Sequence, residues 1–278
     1  MIKSFKDYWY PVAMSSDLKC DRKTMLLGEE ITVGLEECQI RVRDIDGKSL
    51  PNICKYGHVW TTIGNLTDDL FVIPEAEEKG RRLVDCGSVK VKCSPLRAIE
   101  NFLDIAHFPF VHTDILGAEP HTEVNRYEVE IDEKQNEIWA KKIKFFQPKA
   151  AKSAETSIDV EYMYRVAAPT TAILYKTCPP KPDAWDIITL FVQPLSETMC
   201  EVWAWMAIYD ETSLQNDLVN FQQTIFMQDR SILENQIPIK LPLDPRMEIP
   251  TQADLTSVAY RRWLKKLNYT YGAEVHAL

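Results

Sequence analysis

The sequence predicts an α+β fold: an antiparallel sheet of about six strands curled around one long C-terminal helix. Three observations carry this. From about residue 123 to 208, strand-like runs follow one another with no helical pattern between them. Residues 212–235 then keep apolar side chains at helical spacing for several turns. A shorter helical stretch, "PLRAIENFLDIAHF" (95–108), precedes the strands, and another, "DLTSVAYRRWLKKL" (254–267), closes the chain. A sheet wrapped over a helix in this way encloses a cavity.

Taken in order, residues 1–75 read as short strands: "PVAM", "EITVGL", "CQIRVRDIDGKSLPNI" and "HVWTTIG", with Asp46-Gly47 as a hairpin turn. "LVDCGSVKVKCS" (83–94) is a further strand, and Pro95 suits the first turn of the helix after it. The strand run proper comprises "TEVNRYEVEID", "EIWAKKIKFF", "SIDVEYMYRVA", "TAILYKTC", "WDIITLFVQPL" and "CEVWAWMAIYD". No repeat, low-complexity segment or linker interrupts the chain. Two parts are expected, 1–75 and 76–278.

Composition excludes several classes. At 278 residues, 45% hydrophobic and 26% charged, the chain is ordinary for a globular protein. A net charge of −9 argues against nucleic acid and anionic membranes as partners. The first residues, "MIKSFKDYWYPVAM", lack a signal-peptide core, and no apolar run approaches membrane-span length, so a cytoplasmic protein is expected. Seven cysteines, widely spread and without a C-x-x-C, are expected to be mostly buried thiols.

The chemistry concentrates in "ENFLDIAHFPFVHTDILG". On a helix, Asn101, Asp104 and His107 share one face, opposite an apolar stripe of Leu96, Ile99, Leu103 and Ala106. Pro109 should break that helix and let His112 turn back toward His107. Two histidines near a helix end are also compatible with a purely hydrogen-bonded role. The second piece is Asp229, which continues the stripe Leu214, Leu218, Phe221, Ile225 and precedes Ile232. A buried carboxylate needs a partner or a metal. Arg230 is one candidate partner, although adjacent residues face different sides of a helix. Two histidines and a distant carboxylate make the facial triad of non-haem Fe(II) oxygenases; zinc accepts the same ligands.

Asn101-x2-Asp104-x2-His107-x4-His112 with Asp229 in a late helix resembles the catalytic domain of the Rieske-type non-haem iron oxygenases, over residues 95–267. The resemblance implies a helix-grip catalytic domain over 76–278, with Fe(II) on His107, His112 and Asp229 and with Asn101 supporting them. It implies that Asp104 is catalytic, bridging the iron to a histidine of a Rieske cluster on a neighbouring subunit; a solvated helix-face charge is the alternative. Head-to-tail trimers are common in this family.

A Rieske [2Fe–2S] centre takes two cysteines and two histidines, arranged in this family as C-x-H and C-x2-H. This chain has no C-x-H, and His58 is its only histidine before His107. Cys54-x3-His58 has the wrong spacing. "KYGHVWTTIG" instead resembles the family strand that follows the cluster loops, through Tyr56, Gly57, Val59 and Trp60, with His58 at an apolar position. "RVRDIDGKSLPN" resembles the strand pair before those loops. Residues 1–75 therefore read as a truncated, Rieske-like β remnant without cluster ligands, and His58 as an ordinary sheet residue. Electrons must then come from a separate Rieske-bearing protein docking near Asp104.

Within the family, "ENFxDxxHFxFxH" and "QDRSILENQIP" are most similar to the bacterial purine-alkaloid N-demethylases of caffeine catabolism. That implies oxygen-dependent N-demethylation of a methylxanthine, 7-methylxanthine to xanthine plus formaldehyde. It also implies NAD(P)H acting through a Rieske-containing reductase, a glutathione-S-transferase-like companion subunit and a hetero-oligomer. Phe102 and Phe108 match pocket positions of those enzymes, with plain core packing as the alternative; Asn220, Gln223 and Gln228 are candidates to bond the purine edges. The rival readings are O-demethylation, ring hydroxylation and a non-catalytic helix-grip ligand-binding subunit. A zinc hydrolase is disfavoured because the chain lacks H-E-x-x-H.

Overall fold

The computed structural model describes residues 3–148, 158–244 and 246–275. Seven short strands come first: β1 (Tyr10–Met14), β2 (Arg22–Leu26), β3 (Glu29–Glu36), β4 (Gln39–Asp44), β5 (Ser49–Leu50), β6 (Asn52–Lys55) and β7 (His58–Thr61). They form two sheets, ordered β1-β7-β6 and β2-β3-β4-β5. Strand β2, "RKTML", carries too little apolar alternation to be legible. The turn predicted at Asp46-Gly47 separates β4 from β5, with Asp44 capping it through the Asp46 and Lys48 amides, and the rest of the stretch, β6, joins the other sheet. Tyr56 (φ 53°) and Gly57 (φ 73°) form the two-residue hairpin between β6 and β7.

The main sheet is built from β8 (Arg82–Val91), β9 (Glu128–Asp132), β10 (Glu137–Gln147), β11 (Ile158–Ala168), β12 (Thr171–Thr177), β13 (Trp185–Ser196) and β14 (Met199–Ile208). Its order is β8-β14-β13-β12-β11-β10-β9, antiparallel throughout, so seven strands replace the predicted six. The additional strand is β8, an edge paired with β14 from more than a hundred residues away. Ser157, at the start of one predicted strand, lies outside the described residues. Register shifts in β10, β11 and β14 bend the sheet.

Two helices separate β8 from β9: α1 (Pro95–Leu103) and α2 (Phe108–Val111). After β14 come α3 (Gln215–Leu233), the short β15 (Leu241–Pro242), α4 (Leu255–Lys266) and β16 (Ala273–Glu274). The predicted helix over 95–108 thus stops at Leu103, and Asp104 is extended (φ −82°, ψ 120°). Asn101, Asp104 and His107 do not share one helix face. Pro109 lies at the second position of α2, where its missing N–H costs nothing, so it opens a helix instead of breaking one. The stripe on α3 also shifts. Leu214 (71% exposed) and Ile232 (48% exposed) face outward, and the buried residues are Leu218, Ile225, Phe226, Asp229 and Leu233.

The sheet is covered on both faces. Leu174, Leu190 and Val202 belong to a core shared with α1, through Leu96, Ile99 and Leu103. On alternate positions Ile173, Phe191, Trp203 and Trp205 pack against Tyr56, Trp60 and Ile73. The Leu27 amide also donates to the Pro194 carbonyl at 2.7 Å, and Arg22 forks onto Glu201. His58 is a buried residue of β7, its ring set edge-on to Phe191 and Trp203. Cys54, by contrast, is exposed. Of the seven thiols, Cys86, Cys93, Cys178 and Cys200 are buried and Cys20, Cys38 and Cys54 are exposed. No described helix is long and apolar enough to cross a membrane.

Candidate metal centre

The site is assembled where α1 stops. Ser94 caps the helix by accepting from the Leu96 amide, and Pro95 occupies its first position. Arg97 and Glu100 are buried on α1 and tie it to Arg261 of α4 and to Glu248, so its C-terminal end is fixed. Past that end Asp104 Oδ1 accepts from the Ala106 amide at 2.8 Å, while Oδ2 stands 3.1 Å from His107 Nδ1. The loop after His112 returns closely onto α2. A Cβ on Gly117 would meet Pro109 N at 2.7 Å, which leaves room only for glycine.

His107 Nε2, His112 Nε2 and Asp229 Oδ1 form a small triangle. Its edges are 3.1 Å between the imidazoles and 3.2 and 3.0 Å from each to the carboxylate oxygen. With metal–ligand bonds of about 2.1 Å, ligands at right angles stand about 3.0 Å apart and tetrahedral ones about 3.4 Å. The triangle matches one face of an octahedron, as a facial triad with open positions requires. Asp229 Oδ1 is buried with no hydrogen-bond donor aligned on it, an orphaned acceptor that a cation satisfies. His112 Nδ1 lies 2.8 Å from Gln228 Oε1. That oxygen can only accept, so Nδ1 carries the proton and Nε2 is left as a ligand. Asp104 does the same for His107. Arg230 pairs with Glu234 at 3.1 Å and is not the partner of Asp229.

The charges are mutually dependent. Burial disfavours a charged His107, but the carboxylates of Asp104 and Asp229 outweigh it and lift its pKa to about 9. Burial likewise pushes Asp229 up, and the two imidazoles hold it below the ordinary carboxylate value.

Two cavities meet at the triangle. An inner one of about 70 Å³ is lined by the three ligands, by Phe102 and Phe108, and by Tyr162, Tyr164 and Lys176 of the sheet. An outer one of about 440 Å³ is lined by Asp104 and by Asp254, Arg261, Arg262 and Lys265 beside α4. Asn101 and His107 line both. Phe102 stands edge-on to Tyr164, and Phe108 edge-on to Phe145 and Tyr162.

Asn220 and Gln223 are not brought to this site. Asn220 is exposed, and both residues line a groove on the outer side of α3, where the Gln223 amide donates to the Cys86 carbonyl at 2.8 Å. The inward face of α3 instead presents Gln222, Ile225, Phe226 and Asp229. Gln228 bonds His112 and also borders that outer groove, not the inner cavity. Tyr162, Tyr164 and Lys176 escape a reading of spacing alone, yet a lysine within the apolar run "TAILYKTC" was the available signal.

Residues 91–269 match the family of the vanillate O-demethylase oxygenase C-terminal domain, a span that takes in all three candidate ligands. The chain is 45% identical over 269 residues to a probable methylxanthine N7-demethylase (NdmC) of Pseudomonas sp. strain TJI-51, covering 96% of this chain and 95% of that one. The chain is a Rieske-type oxygenase. The oxygenase is also 24% identical to the methylxanthine N3-demethylase NdmB of Pseudomonas putida, over 77% of its own length and 59% of the relative's. Its fold is shared with Pseudomonas putida CBB5 NdmA in complex with caffeine (TM-score 0.77, 16% identity, 94% and 90% of the two chains covered). Dicamba monooxygenase bound to 3,6-dichlorosalicylic acid shares it as well (TM-score 0.79, 14% identity, 98% and 100% covered). At such identities the likeness shows the fold of the oxygenase and nothing finer.

Proposed function

We propose that the oxygenase removes an N-methyl group from a methylxanthine, converting 7-methylxanthine to xanthine and formaldehyde at a mononuclear Fe(II). The observation that carries this is a near-equilateral triangle of candidate ligand atoms opening onto an aromatic cavity, in a chain 45% identical to a probable N7-demethylase. His107, His112 and Asp229 hold the iron, with Asp104 and Gln228 fixing the two rings. Bound iron supplies the activation of dioxygen, which consumes two electrons from outside the chain.

Every other task falls to the protein. Phe102 and Phe108 offer apolar faces to a flat ring and exclude water from the reacting methyl group. At about 70 Å³ the inner cavity is far below the roughly 300–1,000 Å³ usual for ligand sites, so a purine enters with movement of its lining side chains. Asp104 borders the outer cavity and touches His107, which suits it to couple the iron to the cluster of a Rieske-containing reductase fed by NAD(P)H. In this reading residues 1–75 are the cluster-free remnant, 76–278 the catalytic part, and the working enzyme a cytoplasmic hetero-oligomer that includes a glutathione-S-transferase-like subunit.

The test is iron and acid-labile sulfide per chain after anaerobic purification, followed by formaldehyde release from 7-methylxanthine with a Rieske-bearing reductase and NAD(P)H. One iron, no sulfide and stoichiometric formaldehyde are expected. Sulfide in the chain sinks the remnant reading; iron without demethylation of any methylxanthine sinks the substrate.

A further inference from the structure

Around the inner cavity one buried hydroxyl is left without a partner. Tyr164 lies on β11, 1% exposed, and lines the cavity together with His107, His112 and Asp229. No hydrogen bond reaches its hydroxyl among the described residues, and packing does not close that oxygen off. Tyr162, with its ring centre 6.1 Å away, differs, because its hydroxyl is engaged by the Gln147 amide. Lys176 also has a partner already. Asn101 and Gln222 are only half-buried. Among the described lining residues, Tyr164 is therefore the buried polar side chain outside the ligand set that lacks a partner.

Its place is fixed by the sheet. Strand β11 is paired on both sides, with Tyr164 opposite Ala140 of β10 and Leu174 of β12. Phe102 stands edge-on to the ring at 5.7 Å, which limits its rotation. Burial holds the phenol protonated, with its pKa well above the ordinary value, and the nearby charges of Asp104 and Asp229 add to the effect. A buried, neutral phenol beside the ligand triangle is thus a fixed donor that a ligand acceptor satisfies. A flat oxopurine offers its ring carbonyl oxygens. In 7-methylxanthine the C6 carbonyl stands beside the N7-methyl group, and the C2 carbonyl lies across the six-membered ring.

We propose that the Tyr164 hydroxyl donates to the C6 carbonyl of the substrate and so aims the neighbouring N7-methyl group at the ligand triangle. This rests on the methylxanthine reading above. Phe102 and Phe108 hold the plane of the ring, and Tyr164 sets its rotation within that plane.

The experiment is calorimetric binding to iron-loaded wild type and Tyr164→Phe, with iron content and thermal midpoint measured for each. Three ligands are compared: 7-methylxanthine, 7-methylhypoxanthine, which lacks the C2 oxygen, and 7-methyl-2-oxopurine, which lacks the C6 oxygen. Wild type should bind the third roughly ten- to a hundred-fold more weakly than the first. Tyr164→Phe should lose that factor on the first two ligands and bind the first and third alike. Equal wild-type affinities for the first and third overturn the proposal without any variant. So does an iron-replete Tyr164→Phe protein that binds 7-methylxanthine as wild type does, or that keeps the wild-type preference between first and third. These results leave the methylxanthine reading intact. A wild type that binds none of the three purines overturns that reading and this one with it.

Discussion

At the scale of single residues, the ligand set is held by what stands behind it. Gln228 Oε1 accepts a hydrogen bond from His112 Nδ1–H and leaves the other nitrogen free for the proposed metal. Gln228→Leu should weaken Fe(II) affinity roughly 10- to 100-fold, measured by anaerobic titration, with little change in thermal midpoint. Protons and metal compete at the same atoms. The His107 pKa rises from 6.5 unfolded to about 9 folded, so its contribution to metal-free stability is complete below 6.5 and lost as pH climbs through about 9. Metal-free protein should therefore lose thermal midpoint across that window, while Fe(II) uptake strengthens; a midpoint that rises would contradict the assignment. The gathering of His107, His112 and Asp229 was legible because metal chemistry, which suggested the set, restricts residue types so severely. Gln228 was legible only as a polar group on the right helix, since an amide suits a purine and an imidazole equally well.

At the scale of elements, the geometry depends on a helix that ends early. The spacing of Asn101, Asp104 and His107 was read as one helical face, but the chain leaves the helix at Leu103 and re-enters at Phe108. Three-residue spacing cannot distinguish a continuous helix from two that bracket an Asp-capped turn. Beyond α2, Gly117 closes the turn after His112, and a Cβ there would press on the backbone of Pro109 at 2.7 and 2.9 Å. Gly117→Ala should cost roughly 1–3 kcal/mol, read by chemical denaturation, and lower iron occupancy. Denaturation and iron content equal to wild type would show the turn to be slack. The strands of the main sheet were largely legible from their alternation. The pairing of β8 with β14 was not, because no local pattern reports a partner so far away in sequence.

For the whole molecule, the main sheet has no bare face. Phe191, Trp203 and Trp205 are covered by Tyr56, Trp60 and Ile73, so the part that lacks cluster ligands still completes the core. A chain restricted to 76–278 would expose this aromatic surface and should express as insoluble protein or bind a hydrophobic dye. Recovery of a soluble, cooperatively melting fragment would refute that. A division near residue 75 was expected from a change of pattern, whereas the packing across that point was not legible, since aromatic contacts between distant strands leave no signature in either stretch.

The meeting of two cavities at His107 bears on kinetics. In the function proposed above, the small molecule occupies the cavity against the sheet and the electron donor docks over the one beside α4. With separate entrances, the proposed reading requires neither to leave before the other arrives. Initial rates measured against methylxanthine at several reductase concentrations should therefore give reciprocal lines that intersect, as for a ternary encounter, and not the parallel lines of a shuttle.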